Sequence, residues 1–147
     1  MKFVIYLINC ILLFNVITSA SMMTSQQKGD TLQQDERLES NSGKYFAIMQ
    51  GDGNFVVYSV KGKNGRNKDR AIWASNSQRK GKAPYRIVMQ NDGNFVLYDS
   101  SNSPKWNSNT YKKGNAPFNV IMQDDGNLVL YDKSNSPKWA SNTNGRQ

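Results

Sequence analysis

Three copies of one nine-residue phrase set five side chains at alternate positions: Gln50-Gly-Asp52-Gly-Asn54-Phe-Val56-Val-Tyr58, Gln90-Asn-Asp92-Gly-Asn94-Phe-Val96-Leu-Tyr98 and Gln123-Asp-Asp125-Gly-Asn127-Leu-Val129-Leu-Tyr131. Gln and Asn amides both donate and accept hydrogen bonds, a carboxylate accepts, and a phenol does either. On an extended strand, alternate residues share one face. Amides, a carboxylate and a phenol around a single valine match a molecule with many hydroxyls and a small apolar patch, which describes a sugar. A hydroxyl of the wrong stereochemistry would leave a buried partner unpaired, and that is how such a surface discriminates. Folding offers a competing account, because Asp and Gly form turns while Val and Tyr suit strands. Three features favour binding. Gln has no special role beside a turn, Val keeps company with polar residues, and all five identities recur together in every copy.

Other chemistries lack their residues. The chain has no His, and its one cysteine is Cys10, so zinc sites and Ser-His or Cys-His pairs are excluded. Glycoside hydrolysis needs two carboxylates roughly 5 to 10 Å apart across one bond. Each copy supplies one motif aspartate, so no enzyme is expected. Asp124-Asp125-Gly126-Asn127 lacks the twelve-residue spacing and closing Glu of a calcium loop and reads as a turn. Neither a metal nor a cofactor is implied.

The elements that carry the motif follow from its period. Trp73, Trp106 and Trp139 are spaced by 33 residues, as are Gln90 and Gln123, whereas Gln50 and Gln90 are 40 apart. One insertion within residues 59–72 therefore interrupts an internal repeat of three units in one domain. Each unit reads as an all-β hairpin closed at Asp-Gly, where glycine accepts a positive φ. Alternation puts Asn94, Val96 and Tyr98 on one face and Ile87, Met89, Phe95 and Leu97 in an apolar layer. The equivalents are Ile48, Phe55 and Val57 with Met49 near them, and Met122, Leu128 and Leu130. One tryptophan per unit suits a plug where three small sheets meet. No long amphipathic helix is visible.

Residues 1–20 read as a secretory signal: Lys2, an apolar stretch over 3–17, then Thr18-Ser19-Ala20. The stretch is shorter than the roughly 20 residues of a membrane span. A secreted, extracellular protein beginning near Ser21 is expected, with no span after cleavage, a loose polar segment over 21–29 and the repeat domain over 30–147. Without Lys2 the chain holds 18 basic and 11 acidic residues, a net charge of +7. Much of the excess lies in Lys61, Lys63, Arg66, Lys68 and Arg70 and in Arg79, Lys80 and Lys82. These read as a solvated surface or, more sharply, as attraction to anionic polymers. The alternative function is thus a basic adhesion protein that binds anionic glycans through 59–72 and 79–82. The aromatic residues are taken up by core and motif, which argues against a stacking platform for nucleic acid.

Taken with the Asp-Gly-Asn turns and the ends Trp73-Ala-Ser-Asn76, Trp106-Asn-Ser-Asn109 and Trp139-Ala-Ser-Asn142, the three motifs strongly resemble the bulb-type, or monocot mannose-binding, lectins. The signature of that family is Gln-x-Asp-x-Asn-x-Val-x-Tyr, and the similarity runs over about 30–143. The resemblance implies the β-prism II fold, three four-stranded antiparallel sheets around a pseudo-threefold axis with central tryptophans. It also implies metal-independent binding of α-mannose and mannose-rich glycans at each intact motif. Gln90 and Tyr98 would then address the 3- and 4-hydroxyls, Asp92 and Asn94 the axial 2-hydroxyl, and Val96 the ring carbons. The same roles pass to Gln50, Asp52, Asn54, Val56 and Tyr58, and to Gln123, Asp125, Asn127, Val129 and Tyr131. Recognition of microbial glycans in defence or agglutination would follow from the family, as would a homodimer formed by exchange of the C-terminal strand, for which 139–147 is long enough. The chain departs from plant members in lacking a disulfide within the repeat, and from the usual pattern in its basic insertion beside the first motif.

Overall fold

Branched and aromatic residues in period-two alternation favour pleated, half-buried strands, and the computed structural model, which describes residues 22–25, 30–60 and 69–147, is built of them. The expected leader, residues 26–29 and the basic residues Lys61, Lys63, Arg66 and Lys68 lie outside the described residues. The strands are β1 (Met22–Thr24), β2 (Thr31–Gln33), β3 (Arg37–Glu39), β4 (Tyr45–Met49), β5 (Phe55–Ser59), β6 (Arg70–Ala74), β7 (Arg86–Met89), β8 (Phe95–Tyr98), β9 (Pro104–Asn107), β10 (Asn119–Met122), β11 (Leu128–Tyr131) and β12 (Pro137–Ala140). They form three four-stranded sheets, ordered β3-β4-β5-β6, β2-β7-β8-β9 and β1-β10-β11-β12, with antiparallel pairing. This is the all-β prism of three sheets that the resemblance implies.

The N-terminal stretch supplies the outer strand of every sheet in turn, β1 to the third, β2 to the second and β3 to the first. Met22–Thr24 is therefore a paired strand instead of a loose polar segment. Met22, Met23 and Thr24 face Ile121, Val120 and Asn119, and Met23 is buried. One methionine in register with a buried valine is enough to seat a three-residue edge strand, a signal too short for periodicity to reveal.

The apolar layer is as read for the second and third units: Ile87, Met89, Phe95, Leu97, Met122, Leu128 and Leu130 are buried in one core cluster. The first unit needs a correction. Ala47 and Met49 enter the core, while Ile48 pairs with Val56 on the opposite face. Met49 aligns with Met89, so counting back by two reaches Ala47 and not Ile48. The three tryptophans meet pairwise edge to face at the centre, with ring centroids 5.6, 5.3 and 5.6 Å apart. That geometry suits the ring quadrupoles.

A second set of contacts joins neighbouring units. A Cβ placed on Gly53 would lie 2.7 Å from the Tyr85 ring, on Gly93 2.7 Å from Phe118, and on Gly126 2.7 Å from Tyr45. Each unit thus lays an aromatic ring on the turn glycine of the unit before it, and the third closes back on the first. The same glycines have φ of +88°, +87° and +90°.

Behind the tyrosine of the second and third motifs lies a buried carboxylate. Asp99 pairs with Lys105 at 3.1 Å and Asp132 with Lys138 at 3.0 Å. Burial works against the charged form of Asp99, but hydrogen bonds from the Ser103 N–H, Lys105, and the Ser101 and Lys82 N–H groups outweigh it and hold the carboxyl at about 2. The Lys138 hydrogen bond likewise holds Asp132 below the usual range against its burial, aided by the Ser136 and Ser134 N–H groups. In the first unit Ser59 and Ile72 stand at the corresponding positions and both are buried. Acid and base are lost together there, which avoids an unpaired buried charge.

Two predictions follow from these contacts. Gly93→Ala should cost about 2 to 4 kcal/mol, combining left-handed strain with overpacking against Phe118, whereas Gly43→Ala should cost only about 1 kcal/mol. Gly43 has φ +66° but nothing within 4 Å of a Cβ. Equal losses by denaturant titration would refute the aromatic contact. Because both Asp99 and Asp132 are held below the unfolded value near 3.9, their stabilisation is complete above that value and lost as pH falls below it, in the case of Asp99 through about 2. The Tm should be level from about pH 7 to 5 and drop between about 4 and 2. The double change Asp99→Ser with Lys105→Ile should make that drop shallower.

Candidate functional site

Each motif is folded around a three-residue hairpin loop that includes Asp-Gly. The Gln50 N–H donates to the Asn54 carbonyl at 2.9 Å and the Gly53 N–H to the Gln50 carbonyl at 3.0 Å, and the other two units repeat both bonds at 3.0 and 3.1 Å. Three residues intervene, and of these only the glycine has a positive φ. That is a type I turn closed by a glycine bulge, and it leaves the aspartate in an ordinary conformation. The aspartate then caps its own turn: one Oδ1 of Asp52, Asp92 or Asp125 accepts the backbone N–H of Asn54, Asn94 or Asn127 at 2.9 Å in every unit. The carboxylate is pinned by one oxygen, and its Oδ2 has no protein partner among the described residues.

Across the same face the first and last motif residues are bonded to each other. Gln50 Nε2 donates to Tyr58 Oη at 2.8 Å, Gln90 Nε2 to Tyr98 Oη at 2.7 Å, and Gln123 Nε2 to Tyr131 Oη at 2.8 Å. The bond orients the amide, leaving Gln Oε1 to accept and the phenol hydrogen to donate. Beneath the bond lies the valine, 3%, 4% and 3% exposed at Val56, Val96 and Val129. It forms a narrow apolar floor.

The asparagine is held from behind by residues the sequence reading did not single out. Asn54 Oδ1 accepts the Ser77 N–H at 3.2 Å and lies 3.0 Å from Ser75 Oγ. Thr110 with Ser108, and Thr143 with Ser141, hold Asn94 and Asn127 alike. Ser75 Oγ also accepts the Phe55 N–H, touches Ser77 Oγ at 2.6 Å, and Ser77 Oγ reaches the Gly53 carbonyl at 2.7 Å. Two hydroxyl protons cannot serve three acceptor contacts at once. The Ser77 proton goes to the Gly53 carbonyl and the Ser75 proton is shared between Ser77 Oγ and Asn54 Oδ1, which also accepts the backbone N–H. With its oxygen turned inward, the asparagine presents Nδ2 outward as a donor. The signal was present in Ser75-Asn-Ser77, Ser108-Asn-Thr110 and Ser141-Asn-Thr143, whose central asparagines have φ near 54° to 58°.

Each unit thus brings all five motif side chains onto one sheet face, with the same donors and acceptors unspent. Among the described residues no group of three or more His, Cys, Asp or Glu could hold a metal ion.

Solved structures with this architecture were found by comparison. A monomeric monocot mannose-binding lectin from Gastrodia elata is 35% identical over 85% of this chain and 99% of its own, with a TM-score of 0.69. The mannose-specific agglutinin of snowdrop, Galanthus nivalis, solved with methyl α-D-mannoside, is 36% identical over 84% of this chain and 96% of its own, at 0.63. The Polygonatum cyrtonema lectin, solved with a monomannoside, is 32% identical over 76% and 89%, also at 0.63. No protein-family model and no curated protein matches the sequence. The chain belongs to the bulb-type, mannose-binding lectin family.

It is accordingly a carbohydrate-binding lectin and not an enzyme. Its three motif faces are not identical, because strand register puts different residues beside each tyrosine. Phe46 faces Tyr58, Arg86 faces Tyr98, and Asn119 faces Tyr131. The Phe46 and Tyr58 rings stack with centroids 5.1 Å apart. Asn119 Oδ1 accepts from Thr24 Oγ1 at 2.9 Å. Of the basic residues beside the first motif, Arg70 lies on β6 and donates to the Gln147 carbonyl at 2.6 Å, and the Arg79 N–H donates to the Asp52 carbonyl at 2.8 Å.

Removing the hydroxyl behind one asparagine tests this architecture. Ser108→Ala strands the buried Phe95 N–H, at a cost of about 1 to 3 kcal/mol. In amide NMR spectra the Asn94 side-chain resonances of the lectin should shift while those of Asn54 and Asn127 stay in place. Equal movement of all three would show that the hydroxyl pairs are not local supports.

Proposed function

We propose that this lectin is secreted and binds α-D-mannose and mannose-rich glycans through three sites, each made of one Gln-x-Asp-x-Asn-x-Val-x-Tyr face. The observation that carries the reading is the bond from Gln to Tyr recurring at 2.7 to 2.8 Å in all three units, beside an aspartate and an asparagine each anchored through one oxygen. The carboxylate Oδ2 and the Asn Nδ2 form an acceptor and donor pair suited to an axial 2-hydroxyl. Gln Oε1 and the Tyr hydroxyl suit the neighbouring 3- and 4-hydroxyls, and the valine floor meets ring C–H groups. The mannosides in the snowdrop and Polygonatum lectin structures are in accord with this assignment. Such a face is open and shallow, so a single site binds weakly and useful avidity comes from several sites engaging one glycan surface.

The role in this proposal is defence or agglutination, since three outward faces on one chain can bridge separate glycans. Exchange of β12 between two copies would preserve its pairing with β11 and give a homodimer with twice the sites.

Calorimetric titration of the chain lacking residues 1–20 with methyl α-mannoside, with the α-glucoside as control and chelator present, tests the reading. Saturable mannoside heat with three sites per chain, unchanged between about 0.05 and 0.5 M salt, is expected, because neutral hydrogen bonding escapes ionic screening. No heat at millimolar mannoside would sink it, and binding only to a sulfated polymer that vanishes with salt would hand the function to the basic residues.

A further inference from the structure

The residue facing the motif tyrosine carries a charge in only one of the three sites. In the first site it is Phe46, and the nearby Arg37, whose guanidinium lies 5.0 Å from the Phe46 centroid, is paired with Glu39. In the third it is the neutral Asn119. In the second, Arg86 stands across β7 and β8 from Tyr98, with its guanidinium 5.0 Å from the centre of the Tyr98 ring. One nitrogen donates to Asn102 Oδ1 at 2.9 Å, and a second lies 3.5 Å from the Asp99 carbonyl oxygen. Both partners are neutral groups, and no carboxylate lies within salt-bridge distance of Arg86 among the described residues. Asp99, the acid that follows Tyr98, is engaged by Lys105 at 3.1 Å.

An arginine so held keeps its charge, loses little freedom on binding, and retains N–H donors in a planar fork that suits an oxyanion. Stacking on the tyrosine adds the attraction of a cation for an aromatic face and fixes the plane of the fork. The aspartate of the motif does not cancel this charge. Asp92 is bonded to the Asn94 N–H at the loop end of the motif, whereas Arg86 pairs with Tyr98 four residues farther along the strand, about 13 Å by backbone rise. An anion on the Arg86 side of Tyr98 therefore meets the arginine before it meets Asp92, and among the described residues neither of the other sites has a cation facing its tyrosine.

We propose that the second site selects mannosides that carry a phosphate or sulfate ester, and that Arg86 is the residue that selects them. The inference rests on the mannose reading above, in which Tyr98 addresses the 3- or 4-hydroxyl. The exocyclic C6 hangs from C5, the ring neighbour of C4, so a 6-ester lies on the 4-hydroxyl side of the sugar and is the substituent this arginine meets. The lectin then has one site for acidic glycans and two for neutral ones on a single chain.

The side-chain amides of Asn54, Asn94 and Asn127 report the three sites separately in NMR titrations of the full domain. Methyl α-mannoside should move all three. Methyl α-mannoside 6-phosphate and the 6-sulfate should move Asn94 at about tenfold lower concentration than they move Asn54 or Asn127, the gain of one charge-assisted contact, and the gain should shrink in high salt. Arg86→Gln should abolish the preference, and Arg86→Lys should keep about threefold of it, having the charge without the fork. Comparison of the two esters identifies the oxyanion. Equal midpoints at all three asparagines, a preference that survives Arg86→Gln, or an equal response to inorganic phosphate would each overturn the proposal. Failure of methyl α-mannoside to move any of the three amides would instead overturn the mannose reading, so the two failures are distinct.

Discussion

Everything in this molecule hangs on a place where a side chain is missing. At Gly53, Gly93 and Gly126 the aromatic ring of the next unit occupies the space a Cβ would take, and a positive φ at the same residue lets the motif loop close. Turn and interface are therefore one constraint. Because Tyr45 returns to Gly126, the contacts form a closed ring, and no unit can shift without lifting an aromatic residue off its neighbour's loop. The tryptophan triangle fills the axis, and the glycine contacts fix the rotation of the sheets around it.

The ring also explains how a lectin without disulfides holds three shallow faces rigid. The chain has no cysteine beyond Cys10, so the order that a covalent link would supply comes from packing and from buried hydroxyls. Ser75 and Ser77, with their counterparts, satisfy backbone N–H and C=O groups and at the same time grip the motif asparagine. A binding residue that shares its oxygen with the fold cannot rotate away, so little entropy is left to lose when a sugar arrives. Motif residues serve both purposes, and the choice between a folding and a binding account of the repeat dissolves: the aspartate and the asparagine each spend one polar atom on the backbone and offer the other outward, while Gln and Tyr orient each other.

Divergence among the units falls where this double duty ends. The five motif residues recur, and so does the hydroxyl pair, but the residue beside each tyrosine is free to be Phe46, Arg86 or Asn119. The buried ion pair behind the tyrosine is present in the second and third units and replaced by Ser59 and Ile72 in the first. A threefold scaffold thus permits three sites of different character, since its symmetry is enforced at the axis and the turns and relaxed at the sheet faces.

By itself the sequence determined the three-unit β architecture, the motif face and most of the core, because period-two alternation and a 33-residue repeat are local facts that survive without coordinates. It misassigned Ile48, for in a run of consecutive apolar residues the alternation has no polar partner to set its phase, and only pairing with Val56 decides which face it takes. It missed β1, whose three residues carry too little pattern until Val120 lies opposite. The serine and threonine supports were visible as letters yet silent as chemistry, since nothing in a linear chain says that Ser75 lies behind Asn54. Tertiary structure alone decided which polar atom of the motif aspartate and asparagine is held by the backbone, which ring rests on which glycine, and that Arg86 stands beside Tyr98. Those are relations between distant residues, fixed by strand register and by the closure of the ring.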